Sequence, residues 1–338
     1  MTSNSFHLLS EKIAALLNDA RNSVIQAVNH TMVLTYFEIG RIIVEEEQNG
    51  NERAEYGTQL LTVLSQNLTL EFGKGFSITN LKQMRQFYLA YSKQIRTKKG
   101  QTVSDEFKLS WSHYLKLMRI DDEIERKFYE IETLKNNWSL RELERQFNSA
   151  LFTRLSLSKN KDEIIKLSEQ GQVIETAKDA IKDPYILEFI GLPEENIYSE
   201  SELEQKLIDK LEHFLLELGT GFTFVSRQNR ISFDDKHFRI DLVFYNRILR
   251  SFVLIDLKIG ELKHQDIGQM QMYVNYYDRK VKLEDESKTI GIILCQNKCE
   301  AVVEFTLPEN NTQIYASKYL TVLPSKETLI KLIERDDK

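Results

Sequence analysis

After residue 220 the spacing of apolar residues changes, and this constrains the fold more than any other feature of the chain. Upstream, apolar residues recur three and four apart, as in Ile13, Leu16 and Leu17, then Leu60, Leu61, Leu64 and Leu68. That is the period of helices that bury one face. Downstream come short runs rich in Val, Ile, Phe and Tyr: FTFVSRQ, RISF, a DDK turn, HFRIDLVFYN, SFVLIDLKIG and TIGIILCQ. Such runs read as strands. A helix from about Leu262 to Tyr277 precedes TIGIILCQ. A short helix near 300–305, a strand in QIYASKYLTV and a terminal helix from about Lys326 close the chain. The order predicts an all-helical N-terminal domain followed by an α/β domain with a mixed central sheet. The boundaries are placed at 8–157 for the helical domain, 158–185 for a connector with short helices, and 186–338 for the sheet domain. The acidic, proline-bearing DPYILEFIGLPEENIYSESE marks the junction.

Composition narrows the function classes. A net charge of −6 argues against a protein that coats nucleic acid by bulk charge. Cys295 and Cys299 form a CxxxC pair without a nearby histidine, and no two of the six histidines stand four apart, so local spacing offers no zinc site. No apolar run approaches the ~18 residues of a membrane span. The first residues lack the basic-then-apolar form of a secretion signal, and the chain reads as cytoplasmic with no membrane partner.

Three charges interrupt the apolar strands: Asp241, Asp256 and Lys258. An ionised group in a buried sheet is costly unless it is paired or bound to a metal. Alternation puts Asp256 and Lys258 on one side of their strand, and Asp241 on the side of Arg239, Val243 and Tyr245. If the two strands pair, both carboxylates and the ammonium converge. Two close carboxylates repel unless a proton or a metal lies between them. Few hard oxygen ligands suit Mg²⁺ (or Mn²⁺), which takes the rest of its shell from water and phosphate. A lysine alongside can hold a water and offset charge developing at phosphorus. The bland alternative is a buried Asp–Lys ion pair. On the preceding helix, SELEQKLIDKLEHFLLEL (201–218), Glu204 projects within the apolar arc, whereas Glu212 and Glu217 project outside it. Ser201 with Glu204 also fits a capping box. Gln269 and Tyr273 stand one turn apart on the following helix.

These residues resemble a known family. Asp241, fourteen intervening residues and then Asp256-Leu257-Lys258 look like the D…(D/E)xK motif of the PD-(D/E)xK nuclease superfamily. LEHFLLELGTGFTFVSRQ, RIDLVFYNRILRSFVLIDLKIG and GQMQMYVNYYD resemble the nuclease domain of YhcG-like bacterial proteins. AEYGTQLLTVLSQNLTLEFGKGFSITNLKQMRQFY, LSWSHYLKLMRIDDEIERKFY and NWSLRELERQF resemble that family's helical N-terminal domain. Ile240 precedes Asp241 where proline gives the motif its name, and Asp256 stands where glutamate is commoner. The resemblance implies a restriction-endonuclease-like fold and metal-dependent hydrolysis of phosphodiesters, with DNA as the first choice of substrate. It implies that Asp241, Asp256 and the carbonyl of Leu257 are metal ligands, that Lys258 positions water, and that Glu204 is an accessory acid. It also implies that Gln269 and Tyr273 support the site or contact DNA. Gln228 is a further family-like polar position. The alternative is a nuclease fold used as a binding or scaffold module.

From Gly221 to Lys282 there are eleven Lys/Arg against seven Asp/Glu, so the sheet region is locally basic. Arg227, Arg230, Arg239, Arg247 and Arg250 suit phosphate contacts. In the helical domain, LLTVLSQNLTLEF, GKG and FSITNLKQMRQFY have the form of a helix–turn–helix, with Asn80, Lys82 and Arg85 as candidate nucleic-acid contacts. The basic SKQIRTKKGQ (92–101) suits a phosphate-binding loop or a solvated linker. A protein partner is the competing use of this domain, and a homo-oligomer is a separate expectation for the chain.

Overall fold

The computed structural model describes residues 3–49, 54–97, 107–156, 160–194, 198–233, 236–325 and 328. The terminal helix expected from Lys326, Asp234 and Asp235 of the DDK turn, and the basic stretch beyond 97 lie outside the described residues. The chain divides into two compact units, Met1–Glu144 and Arg145–Lys338.

The first unit is helical, as expected: α1 (Ser3–Asn49), α2 (Ala54–Phe72), α3 (Ile78–Thr97), α4 (Trp111–Leu117) and α5 (Glu123–Asn136). Its core forms where α3 lies along the second half of α1. A Cβ added to Gly40 would stand 2.1 Å from the Met84 carbonyl oxygen, so only glycine permits this approach. Phe37 of α1 meets Phe87 and Tyr88 of α3 at ring separations of 5.8 and 5.1 Å, and Phe107 adds to the cluster. The predicted hairpin at GKG is present. Gly73 (φ 80°) and Gly75 (φ 137°) adopt backbone angles that side chains resist, which lets the chain reverse between α2 and α3.

Helix α6 (Leu140–Asn148) spans the division between the units. The second unit continues with α7 (Leu151–Ser156), α8 (Lys161–Gln170), β1 (Tyr185–Ile186), α9 (Glu200–Asp209), α10 (Leu211–Leu218), β2 (Phe222–Phe233), β3 (Lys236–Asn246), β4 (Ser251–Glu261), α11 (His264–Lys280), β5 (Ile290–Asn297), α12 (Glu300–Thr306) and β6 (Ile314–Leu320). The six strands form one mixed sheet in the order β1-β6-β5-β4-β3-β2. β2, β3 and β4 pair antiparallel, whereas β4, β5, β6 and β1 run parallel. Leu203, Leu207, Phe214 and Leu218 of α9 and α10 pack on Leu242, Phe244, Ile255 and Leu257. Ile267, Met270, Val274 and Tyr277 of α11 pack with Val243, Leu254 and Ile293. Burial of both faces explains why the strands read as continuous apolar runs. FTFVSRQ and RISF prove to be one strand, β2.

The segment read as a connector contributes to this unit, since β1 extends the sheet beside β6. The reading of Glu217 as lying outside the apolar arc is corrected. The 201–218 helix breaks at Lys210 (φ −119°, ψ 32°), so α10 is rotated relative to a continuous projection and Glu217 is fully buried. Its Oε1 accepts from Arg154 Nη1 at 2.7 Å and from the Ile186 amide at 3.0 Å. Its Oε2 accepts from Arg145 Nη2 at 3.2 Å, and Lys182 donates to its carbonyl. A fragment begun at Ile186 would lack all three cations. We therefore expect a fragment from Trp138, which keeps α6 and α7, to unfold in urea at a clearly higher midpoint than one from Ile186. Equal midpoints would contradict this account of what completes the sheet unit.

Candidate active site

The β3–β4 ladder runs from Asn246 opposite Ser251 to Leu242 opposite Ile255 and then stops. Beyond that point the carboxylate of Asp241 stands in for a backbone acceptor, taking the Leu257 N–H on Oδ2 at 2.8 Å. On the other side of β3, Arg227 pairs with Leu242 and Asn229 with Ile240, which sets Gln228 opposite Asp241. Gln228 has φ 47°, a left-handed conformation uncommon for a side-chain-bearing residue inside a strand. Its Nε2 donates to Asp241 Oδ1 at 3.0 Å and to Glu204 Oε2. One amide thus cross-links two acids from β3 and α9.

This arrangement corrects the simple alternation read from the sequence. Ile240 and Val243 both join the α11 side of the sheet, whereas Leu242 and Phe244 join the α9–α10 side. Regular alternation cannot put residues three apart on one face, so β3 is irregular at Asp241. Its carboxylate works within the ladder rather than on the face of Val243 and Tyr245.

Asp256 is buried and Lys258 half-buried, with 2.8 Å between Lys258 Nζ and Asp256 Oδ2. Burial pushes the Asp256 carboxyl well above the usual carboxylate range; the Lys258 ammonium opposes this, and the Asp241 carboxylate adds to it. Burial also works against charge on Lys258, but Asp256 outweighs it and keeps the ammonium protonated. Glu200, which the sequence reading missed, lies 3.9 Å from Lys258 through Oε2 and accepts the Ile259 N–H at 3.4 Å through Oε1. Nothing in its spacing signals this, because it sits in the first turn of α9, where an acid is also expected as a favourable end charge.

Glu204 is turned inward, 5% exposed, as its place in the apolar arc predicted. The expected Ser201–Glu204 capping box does not form. Ser199 and Glu202 make that box instead, two residues earlier, which leaves Glu204 free of the cap. Burial raises the Glu204 carboxyl; the Gln228 amide lowers it and Asp241 raises it further. Gln228→Ala should therefore cost about 1–3 kcal/mol, the penalty of leaving buried acceptors without their donor. Urea unfolding of the variant measures it, and an unchanged midpoint would show that the bridge contributes nothing.

Gln269 Nε2 donates to the Tyr273 hydroxyl, which donates to the Arg239 carbonyl at 2.8 Å. Tyr273 is fully buried, so it fixes β3 next to the site and has no surface to offer a nucleic acid. The Arg239 side chain is exposed. Arg227 reaches back to Glu204 Oε1 at 3.4 Å and to Gln205 at 2.9 Å. In the helical unit, Asn80 donates to the Gly75 carbonyl at 2.8 Å and Arg85 pairs with Glu47 at 2.6 Å. Both are committed to holding that unit together. Lys82 is exposed on α3.

A mixed sheet flanked by helices, with a D…DxK set at the point where two strands part, defines a PDDEXK-type nuclease domain. The model of the YhcG PDDEXK nuclease domain matches residues 178–333, and that of the DUF1016 N-terminal domain matches residues 12–154. An Escherichia coli (strain K12) protein named "Putative nuclease YhcG" is 38% identical over 352 residues, covering 97% of this chain and 93% of that protein. The chain belongs to the YhcG family. A repair endonuclease from Pyrococcus abyssi aligns with 38% of this chain and 50% of its own, at 18% identity and a TM-score of 0.28. An EndoMS–dsDNA complex aligns over 38% and 46%, at 15% identity and a TM-score of 0.27. Among the described residues, no helix is long and apolar enough to cross a membrane.

The residues present fit the divalent cation that this family implies. Asp256 Oδ2 and Glu204 Oε1 are buried oxygens that accept no hydrogen bond, although Lys258 and Arg227 lie within ion-pair reach. Among the described residues, no three His, Cys, Asp or Glu side chains form a cage of their own.

Proposed function

We propose that this chain hydrolyses phosphodiester bonds of nucleic acid, DNA first, with Mg²⁺ or Mn²⁺ held by Asp241, Asp256 and the Leu257 carbonyl. The observation that carries this reading is the parting of β3 and β4 at Asp241, which brings two acids, Lys258 and Glu204 to one opening in the sheet. When bound, a divalent cation lowers the pKa of water and neutralises phosphate charge. Lys258 keeps its ammonium toward the attacked phosphate, orienting water and offsetting negative charge as it grows at phosphorus. Asp256 holds that ammonium in place, with Glu200 as a second anchor. Glu204 is held at the edge by Gln228 and serves as the accessory acid. Tyr273 fixes the backbone of β3 through the Arg239 carbonyl. The exposed Arg230, Arg239 and Arg247 supply contacts to the phosphate backbone, which position a strand without reading its bases. A place in DNA processing or in defence against foreign DNA follows from the family resemblance.

The test is incubation of the full chain with labelled duplex, single-stranded and branched DNA and with RNA, each with Mg²⁺ or Mn²⁺. Cleavage of at least one DNA form supports the reading. Binding without cleavage of any substrate favours a scaffold role for the same fold.

A further inference from the structure

The first half of α1 presents an apolar face that its own unit leaves uncovered. From Ser10 to Asn29 every described side chain is exposed. Ile13, Leu16, Leu17 and Val24 are 51–70% exposed. At ~100° per residue they share one stripe with Ala20. The residues by which α1 packs in its second half, Val33, Phe37, Gly40 and Val44, project on the opposite side, about 180° around the helix. The helix therefore changes its apolar face partway along, and α3 cannot cover both. A single helix standing in water over this many turns is marginal without a packed face.

We infer that this stripe pairs with the same stripe of a second copy of the chain, as an antiparallel two-helix coiled coil. The stripe reads as heptads, with Ile13 and Ala20 at a, Leu16 at d, and Leu17 and Val24 at the adjoining e. Lys12 and Asp19 stand seven residues apart and so occupy the same g flank. Like flanks face each other in an antiparallel pair, and charges there set partner and orientation. The register that seats Ile13 against the partner's Leu16 also sets Lys12 against the partner's Asp19, twice by symmetry, and brings Leu17 beside the partner's Ser10. A parallel pair would instead place Lys12 beside Leu17 and Asp19 beside Val24, with no charge matched. In this register the stripe is complementary in charge to itself, and that complementarity argues for a second copy as the occupant. The pairing puts two sets of Asp241, Asp256 and Lys258 in one particle.

Light scattering on the full chain should give twice the mass of one chain, and Leu17→Glu with Val24→Glu should give a single chain of unchanged helicity. Lys12→Glu alone and Asp19→Lys alone should each weaken self-association by on the order of tenfold, and the two together should restore it. In a Cys299→Ser background, an oxidised mixture of Ile13→Cys chains with Leu16→Cys chains should crosslink into dimers, because this register seats those two thiols against each other, whereas Leu17→Cys chains alone should not. A single-chain wild type, as when the stripe is covered by the chain's own second unit, overturns the proposal. So does a dimer that survives Leu17→Glu with Val24→Glu, or one that crosslinks through Leu17→Cys alone and not through the mixture of Ile13→Cys and Leu16→Cys chains.

Discussion

Lys258→Ala is expected to lower the rate of nucleic-acid cleavage by ~10²–10³ while leaving the fold intact, the usual cost of removing one electrostatic element that acts on the transition state. Lys258 lies 2.8 Å from Asp256 and 3.9 Å from Glu200. If Lys258 acts as proposed, its loss removes a positive charge at the attacked phosphorus and the group that orients water. Stability should change little. Burial already favours a neutral Asp256, so a proton can take up the carboxylate that the ammonium leaves behind. Affinity for an uncut substrate, measured by anisotropy in EDTA, should be preserved if, as proposed, phosphate contacts come from arginines elsewhere. Equal cleavage by Lys258→Ala and wild type would place the chemistry somewhere other than this opening. Asp256→Ala should fail in a different way, through weaker metal binding, with some activity returning at high Mn²⁺.

The second large effect concerns stability. Arg154→Ala should destabilise the sheet unit by about 3–5 kcal/mol, the cost of leaving a buried charge without its partner. Both side chains of the Arg154–Glu217 pair are fully buried, with 2.7 Å between them. Burial alone would raise the Glu217 carboxyl; Arg154, Lys182 and Arg145 outweigh it and hold the carboxyl at about 2. The folded value is below the ordinary one of ~4.3, so this stabilisation is fully present above about pH 4.5 and is lost as pH falls towards 2. Urea midpoints taken between pH 6 and pH 3 should therefore fall more steeply for wild type than for Glu217→Gln. Parallel slopes would mean that the network does not govern acid stability.

The strands were legible because burial on both faces leaves an unmistakable composition, and β3 to β5 stand within a few residues of the runs read for them. Asp241, Asp256 and Lys258 were legible for the opposite reason, since charges in such strands demand a cause. What could not be read depends on breaks in regular geometry. Glu217 looked exposed because projection assumes an unbroken helix, and the break at Lys210 leaves no mark such as proline or glycine. Gln228 gave no sign of its task, because bridging Glu204 and Asp241 depends on a left-handed residue inside β2. Asp241 enters the ladder rather than a face because β3 is irregular there. Asn80 and Arg85 looked like nucleic-acid contacts, yet a polar helix face serves a turn carbonyl and an intramolecular ion pair equally well.

The central claim is that this opening in the sheet carries metal-dependent phosphodiester cleavage. Its most direct test is the initial rate of wild-type cleavage of one labelled DNA, measured in EDTA and then as Mg²⁺ is restored above the chelator. The account predicts no cleavage in EDTA, a saturable rise with free Mg²⁺, and a flat line for Asp241→Ala over the same range. Cleavage that persists in EDTA, or that rises equally in Asp241→Ala, would contradict it.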